Sequence, residues 1–271
     1  MSPRRLDPRV RSALIDVAAR LLTEEGPHAL TTRRVAAEAG SSTMAVYTYF
    51  GSMGELVRAM VHEGFARLQH HLTHVARTDD PVADMASLGR AYRHNALANP
   101  HLYGVMFGGS APGGFSLTED DRQHGRYTLG NVVECAARCI DAGRFRTTDA
   151  ELVAHQMWGA THGLITLELG DYLIEPYDAE HLFEAQLVSL MVGAGDAHEA
   201  AEASVRASRR LFGDGRPGDE WPRDEGPRDE GPGKARAGKE RAGKERAGEG
   251  RLSNGRRAPR RAARADGTAP A

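Results

Sequence analysis

The sequence predicts an all-α protein: an N-terminal three-helix domain carrying a helix-turn-helix, a C-terminal helical bundle that dimerises, and a disordered C-terminal tail. Three observations predict it. Apolar residues recur at three- and four-residue steps as far as Gly213, the period of helices with one buried face. Long β-branched alternations and Asn-Gly pairs between apolar runs, the marks of strands and hairpins, are absent. Helix punctuation recurs instead, with Asp, Ser or Thr ahead of apolar runs and Gly or Pro behind them.

The elements follow in order. Asp7-Pro8 reads as an N-cap followed by proline at the first helical position. Val10, Leu14, Val17, Ala18, Leu21 and Leu22 then form one face, and Gly26-Pro27 stops the helix. Thr31 or Thr32 caps a second helix with Leu30, Val35 and Ala36 inward, and Gly40 supplies a turn. A third helix carries Val46, Tyr49 and Phe50. Ser52 and Glu55 have capping-box spacing and open a fourth helix of about 25 residues, with Leu56, Met60, Phe65, Leu68, Leu72 and Val75 on its core side. Asp80-Pro81 opens a helix over 81–98 that ends at Asn99-Pro100, and a short helix follows at 100–108. Residues 108–116, GGSAPGGFS, read as a loop. Thr118 with Asp121 starts a helix to about Ala142, and Thr148 with Glu151 another to about Leu173. The last two run from Asp178 to about Val192 and over 196–212. The predicted domains are 1–51 (helix-turn-helix), 52–79 (connecting helix), 80–212 (a second helical bundle, to which the family resemblance given below assigns effector binding and dimerisation) and 213–271 (tail).

Composition narrows the function. Of 271 residues, 40% are hydrophobic, enough for a real core, and 27% are charged, as expected of a soluble protein. The net charge of −2 hides basic character in the first 60 residues and the last 20. Since nucleic-acid attraction is a matter of local charge, the near-neutral total does not oppose it. Two cysteines give no disulfide framework and fit a reducing cytoplasm. No apolar run approaches a membrane span of about 20 residues, so no membrane role is expected. No nucleophile stands with a partnered base, and GGSAPGGFS lacks the Lys-Ser/Thr of a phosphate-binding loop, so no enzyme is predicted. From Gly213 the chain repeats PRDEG and AGKER and ends rich in arginine. Such a segment buries too little apolar surface to offset its ordering entropy.

Residues 31–50, TTRRVAAEAGSSTMAVYTYF, have the plan of two short helices around a turn, the second suited to the DNA major groove. Ser42 caps that helix and can meet phosphate. Thr43, Met44 and Thr48 offer small or flexible side chains to base edges, and Tyr47 offers a hydroxyl to phosphate. Tyr49 reads equally as a structural aromatic and as a phosphate contact. Thr32 and Arg33 open the preceding helix, whose amides favour phosphate, and Arg4, Arg5, Arg9 and Arg11 form a basic arm.

The run LTTRRVAAEAG at 30–40, VYTYF at 46–50, Ser52 and Leu56 together resemble the DNA-binding domain of the tetracycline-repressor (TetR) family of bacterial transcription regulators. The resemblance implies a homodimer on palindromic double-stranded operator DNA, released when a small effector of unknown identity binds the C-terminal domain. It also implies DNA contacts from Thr32, Arg33, Thr43, Met44, Tyr47, Thr48 and Tyr49. Met53-Gly54 departs from the family, which often has lysine after the serine that opens the fourth helix. Trp158 with His162-Gly163 resembles the Trp…His-Gly signature of one C-terminal subgroup. An effector-independent regulator or an activator is the alternative.

For the effector site the candidates are His155, Trp158 and His162, which share one helical face, and Tyr103, Met106 and Phe107 after Pro100. Core packing explains the same residues equally well. Leu182, Phe183, Gln186, Leu187, Leu190 and Met191 form a stripe that fits a dimeric four-helix bundle or an internal core. Cys135 and Cys139 share a helical face without further ligands at convincing spacing, so they read as structural. No metal and no cofactor is expected.

Overall fold

A computed structural model describes residues 6–107 and 117–212. Arg4 and Arg5, the stretch 108–116 and the tail from Gly213 onward lie outside the described residues, together with the readings made of them. The described residues all fall within one compact unit and are helical: α1 (Pro8–Glu25), α2 (Thr32–Glu38), α3 (Thr43–Phe50), α4 (Met53–Thr73), α5 (Pro81–Ala98), α6 (Pro100–Phe107), α7 (Glu119–Asp141), α8 (Ala150–Leu169), α9 (Ala179–Ala194) and α10 (His198–Phe212).

Caps set most of the boundaries. Asp7, Thr31, Ser42 and Ser52 each accept a backbone N–H of the first turn, which satisfies one of the donors that a helix start leaves open. Thr118 and Asp121 make the full reciprocal box at the start of α7. Gly40 at φ 61° and Gly51 at φ 75° take the left-handed conformations that let the chain reverse on either side of α3.

Three boundaries differ from expectation. The cap of α8 is Asp149, which accepts the Leu152 N–H at 2.9 Å, and not the Thr148–Glu151 pair. A carboxylate one residue later outcompetes the threonine hydroxyl. The same helix stops at Leu169, short of Leu173, because Gly170 caps it and Asp171 turns left-handed at φ 57°. Helix α4 ends at Thr73 after 21 residues.

Helices α1–α3 close over Leu14, Ile15, Leu21, Val35 and Val46, all essentially without exposure. Helix α4 runs from this small core into the larger one. Leu56 and Met60 pack at its start, and Phe65, Leu68 and Leu72 near its end. Helix α6 lies against both α1 and α4. Gly64 of α4 has no side chain because a Cβ there would overlap Met106 of α6. Of the stripe on α9, Phe183, Leu187 and Met191 are buried in the subunit's own core, while Leu182, Gln186 and Leu190 are only half-buried.

Polar clamps hold the helix ends. Arg144, just after α7, meets buried Asp196 through two bonds of 2.8 and 2.7 Å, and also reaches Asp80, the cap of α5. Ser204 of α10 donates to the same Asp80 at 2.6 Å. Helices α5, α7 and α10 are therefore tied at one part-buried charged knot, and the opposite charges make its burial tolerable. Among the described residues no helix is long and apolar enough to cross a membrane.

Candidate DNA interface and effector cavity

The N-terminal surface separates tied arginines from an open one. Arg34 forks onto Glu25 at 2.5 and 2.6 Å and reaches Glu38 at 2.9 Å. Arg20 joins the same Glu38 and pairs with Glu24. This network straps α1 to α2, and the Arg34 and Arg20 guanidiniums hold the Glu38 carboxyl below its usual range. Arg33, just before it in the chain, is exposed and has no ion pair among the described residues. Thr32 beside it is half-buried.

On α3 and its cap the exposed residues form one face: Ser42, Thr43, Met44, Tyr47 and Thr48. Met44 is 70% exposed and Tyr47 53%, unusual for residues this large and apolar. Val46 and Phe50 face inward and fix the helix. Of the sequence-predicted DNA residues, Arg33, Ser42, Thr43, Met44, Tyr47 and Thr48 are thus open on α2 and α3, and Thr32 is partly so. Tyr49 differs. Its hydroxyl donates to the Asp7 carbonyl at 3.0 Å and accepts the Asp7 N–H at 2.9 Å. That pair of bonds to the backbone ties the start of α1 to α3, the structural side of the Tyr49 reading. Arg11 is likewise engaged, bonded to Glu63 at 3.2 Å and placed over the Phe50 ring. Of the expected basic arm, Arg9 is exposed. Met53 is half-buried against the core, so its position offers no cation to DNA.

The C-terminal bundle holds a cavity of about 480 Å³, within the range of small-molecule sites. Its walls come from α4 (Phe65, Leu68, Leu72), α5 (Met85, Leu88, Tyr92), α6 (Met106, Phe107), α7 (Arg122, Gly125, Arg126, Thr128), α8 (His155, Met157, Trp158, Thr161) and α9 (Leu187, Met191). Four of the six predicted effector residues line it: Met106, Phe107, His155 and Trp158. Tyr103 and His162 stand behind the wall and reach it through hydrogen bonds.

Those bonds have a direction. The Trp158 indole N–H can only donate, and it donates to the Tyr92 hydroxyl at 3.2 Å. Burial, reinforced by Tyr92, pushes the Tyr103 phenol well above its ordinary range, so it keeps its proton. Burial lowers the His162 imidazole, which favours its neutral form. With that ring protonated at Nε2, Tyr103 donates to Nδ1 at 2.6 Å, and the Tyr92 hydroxyl has both the Tyr103 oxygen at 3.3 Å and Nδ1 at 3.4 Å as acceptors. The result is an uncharged chain from Trp158 through Tyr92 and Tyr103 to His162. The Tyr92 bonds are the long ones, so this hydroxyl is the member freest to turn to a ligand.

The cavity touches the path to the reader twice. Helix α6 carries Met106 and Phe107 into the wall, while its His101 bonds Thr23 of α1 at 2.8 Å. Helix α7 lines the cavity with Arg122 and Gly125, while Asp121, next to Arg122, faces α4. That carboxylate, 2% exposed, bonds His62 at 2.8 Å and pairs with Arg58 at 3.2 Å, both on α4. Burial opposes its ionisation, but the bonds from Thr118, His62 and Arg58 outweigh this and hold it well below the usual carboxylate range.

Sequence reasoning missed Tyr92, the hub of the polar chain, and the α4, α5 and α7 walls. Tyr92 gave one usable signal, a hydroxyl-bearing ring on an apolar helical face; the aliphatic wall residues gave none, since they pattern like any core. Both cysteines are buried and form no disulfide. Cys135 donates to the Pro81 carbonyl at 3.3 Å, and the contact with Cys135, added to burial, drives the Cys139 thiol far up. Among the described residues no group of three or more His, Cys, Asp or Glu could hold a metal ion.

An exposed short helix set by a tight turn, on a bundle with a ligand-sized hollow, defines a class: helix-turn-helix proteins with an appended regulatory domain. Comparison with known families is more specific. Residues 14–60 match the family described as bacterial regulatory proteins, tetR family, and residues 85–190 match the tetracyclin repressor-like C-terminal domain. The chain belongs to the TetR family of transcription regulators, a family of regulators and not of enzymes. It is similar to the HTH-type transcriptional regulator Rv1816 of Mycobacterium tuberculosis, 28% identical over 146 residues, which make up 52% of this chain and 62% of that one. It is similar also to HTH-type transcriptional regulator Rv0681 of the same organism, 25% identical over 186 residues, 68% of this chain and 80% of that one. The chain therefore spans less than two thirds of the first relative's length. Among solved structures, a protein from Rhodococcus sp. RHA1 superposes with a TM-score of 0.59 at 24% identity, over 72% of this chain and all of that one. The TetR family transcriptional regulator PfmR from Thermus thermophilus does so with a TM-score of 0.55 at 21% identity, over 68% of this chain and 99% of that one. At these identities the likeness is one of fold.

Proposed function

We propose that the protein is a dimeric, cytoplasmic repressor that binds a palindromic operator and releases it when a small molecule fills the cavity. Thr43, Met44 and Thr48 meet base edges, Tyr47, Ser42, Thr32 and Arg33 meet phosphates, and Tyr49 holds the reader in position. The observation that carries this reading is that one helix, α4, supports the reader at its start and lines the cavity near its end. A ligand that favours one placement of α4 shifts the equilibrium by its differential affinity for the two placements. The cavity weighs against the effector-independent alternative, for which a filled core would suffice.

The dimer would form on the open face of α8 and α9. Leu152 and Leu167 of α8 are about half exposed, and a Cβ at Gly159, Gly163 or Gly193 would meet nothing among the described residues. A two-fold pair there would place two readers on one side of the duplex, with half-sites about 34–36 Å apart or a multiple of that.

The test takes operator DNA selected from a random duplex library and a compound that calorimetry places at one per chain. Occupancy should weaken operator binding about 5- to 150-fold. Occupancy with unchanged operator affinity would overturn ligand release and favour the alternative.

A further inference from the structure

We propose that the cavity takes an apolar monoanion, a carboxylate on a hydrocarbon body, with its charge held by Arg122 and Arg126. The inference rests on the reading of this cavity as the effector site and adds the chemistry of the effector.

The body follows from the walls. Leu68, Leu72, Met85, Leu88 and Met191 present only carbon and sulfur to the interior; of the two threonines in the lining, Thr128 and Thr161, the first already donates its hydroxyl to the Gly125 carbonyl. The polar chain of Tyr92, Tyr103, Trp158 and His162 is neutral throughout. A charge lodged among these groups would be desolvated without a counter-ion, which is the costliest arrangement a site can contain.

The sign of the head follows from the charge inventory. Among the described residues, the permanently charged members of the lining are Arg122 and Arg126, and no acid lines the cavity. Four residues apart on α7, the two guanidiniums project on one side of the helix. They share a single carboxylate, Glu119, with Arg122 at 3.6 Å and Arg126 in closer contact. Asp121, on the same turn, is already engaged by Thr118, His62 and Arg58. Asp120 is exposed and does not line the cavity. One carboxylate for two guanidiniums leaves the cavity edge short of one negative charge. An entering carboxylate supplies it, as a planar acceptor that guanidinium matches well. A cationic head would meet two arginines whose one carboxylate, Glu119, they already share. Competition with Glu119 also gives the ligand a hold on the first turn of α7, the turn whose Asp121 binds α4.

Trp158 is one of two tryptophans in the chain and forms part of the wall. In the full chain with Trp221→Phe, its fluorescence reports occupancy. The probes are dodecanoate, dodecanol and dodecylammonium, each below its micellar concentration. Dodecanoate should bind at least about tenfold more tightly than the other two, the scale of a charge-assisted bond. The double variant Arg122→Gln/Arg126→Gln should erase that preference while leaving dodecanol unchanged, and Arg122→Lys/Arg126→Lys should keep most of it. Equal or tighter binding of dodecylammonium, or dodecanoate binding untouched in the glutamine variant, overturns the proposal. If no probe changes Trp158 fluorescence, the ligand-site reading itself fails. If dodecanoate binds as expected and operator affinity does not move, the ligand class stands and the repressor-release reading fails.

Discussion

Two neighbouring arginines, Arg33 and Arg34, carry the clearest distinction in the reader. Arg34 is spent on Glu25 and Glu38 inside the protein, and Arg33 is open to solvent. Replacing Arg33 by alanine should weaken operator binding uniformly across sequences and lower the slope of log affinity against log salt by about 1; an unchanged slope would take Arg33 off the phosphate. Tyr47→Phe should weaken operator binding without lowering the melting temperature, since its side chain is exposed. Unaltered affinity at physiological salt would remove its phosphate role. Titration acts at this scale too. His94 and His162 are both lowered by burial, so the unfolded chain binds the proton more tightly than the folded one. Their contribution is complete above the ordinary value of about 6.5 and is lost as pH falls below it toward the folded values. Asp121, depressed in the fold, adds a loss in the same direction at more acid pH. Urea midpoints should therefore drop as pH falls below about 6.5, and His162→Gln should flatten that drop. Equal slopes for the two proteins would mean that His162 is not the group that titrates.

At the scale of elements, α4, α6 and α7 form the link between cavity and reader. Asp121 joins α7 to Arg58 and His62 of α4, and His101 joins α6 to α1. Asp121→Asn keeps the size of the side chain and removes the charge that both α4 partners address. It should leave operator affinity and ligand affinity near their starting values and shrink the ligand-induced loss of operator binding, measured by anisotropy of a labelled duplex; a full response would place the coupling elsewhere. Elements were the most legible feature of the sequence. Pro8, Pro81 and Pro100, with the caps Asp7, Ser52, Thr118 and Asp178, marked helix starts that the structure keeps. Helix α8 was less legible at both boundaries: Thr148 and Asp149 could each cap its start, where the structure uses the Asp149 carboxylate, and Gly170 ends it short of Leu173. The site was half legible. Trp158, His155, Met106 and Phe107 announced themselves as large groups on short or glycine-bearing helices. Tyr92, Arg122 and the aliphatic walls did not, because a residue that lines a hollow and one that fills a core have the same helical period.

The whole molecule is expected to work as a pair. Of the stripe on α9, Phe183, Leu187 and Met191 lie in the subunit's own core, while Leu182 and Leu190 are half-buried and are the part left for a partner. Gly163→Leu on α8 tests that face. No described residue occupies the space where its Cβ would stand, so the monomer should fold, with α8 itself the better for losing a glycine. Sedimentation should nonetheless report monomers or a much weakened dimer, because the added side chain blocks close helix approach; an unchanged dimer would move the interface away from α8. The central claim is that the exposed face of α3 reads duplex DNA, and one measurement addresses it directly. Met44→Glu/Tyr47→Glu places two carboxylates on that face and leaves Val46 and Phe50 in the core. On a selected palindromic duplex at physiological salt, the unaltered protein should bind in the range of about 10⁻⁸–10⁻¹¹ M and the folded double variant about 10³-fold or more weakly, at the level of non-specific binding. A folded double variant that binds the same duplex with unchanged affinity would contradict the account.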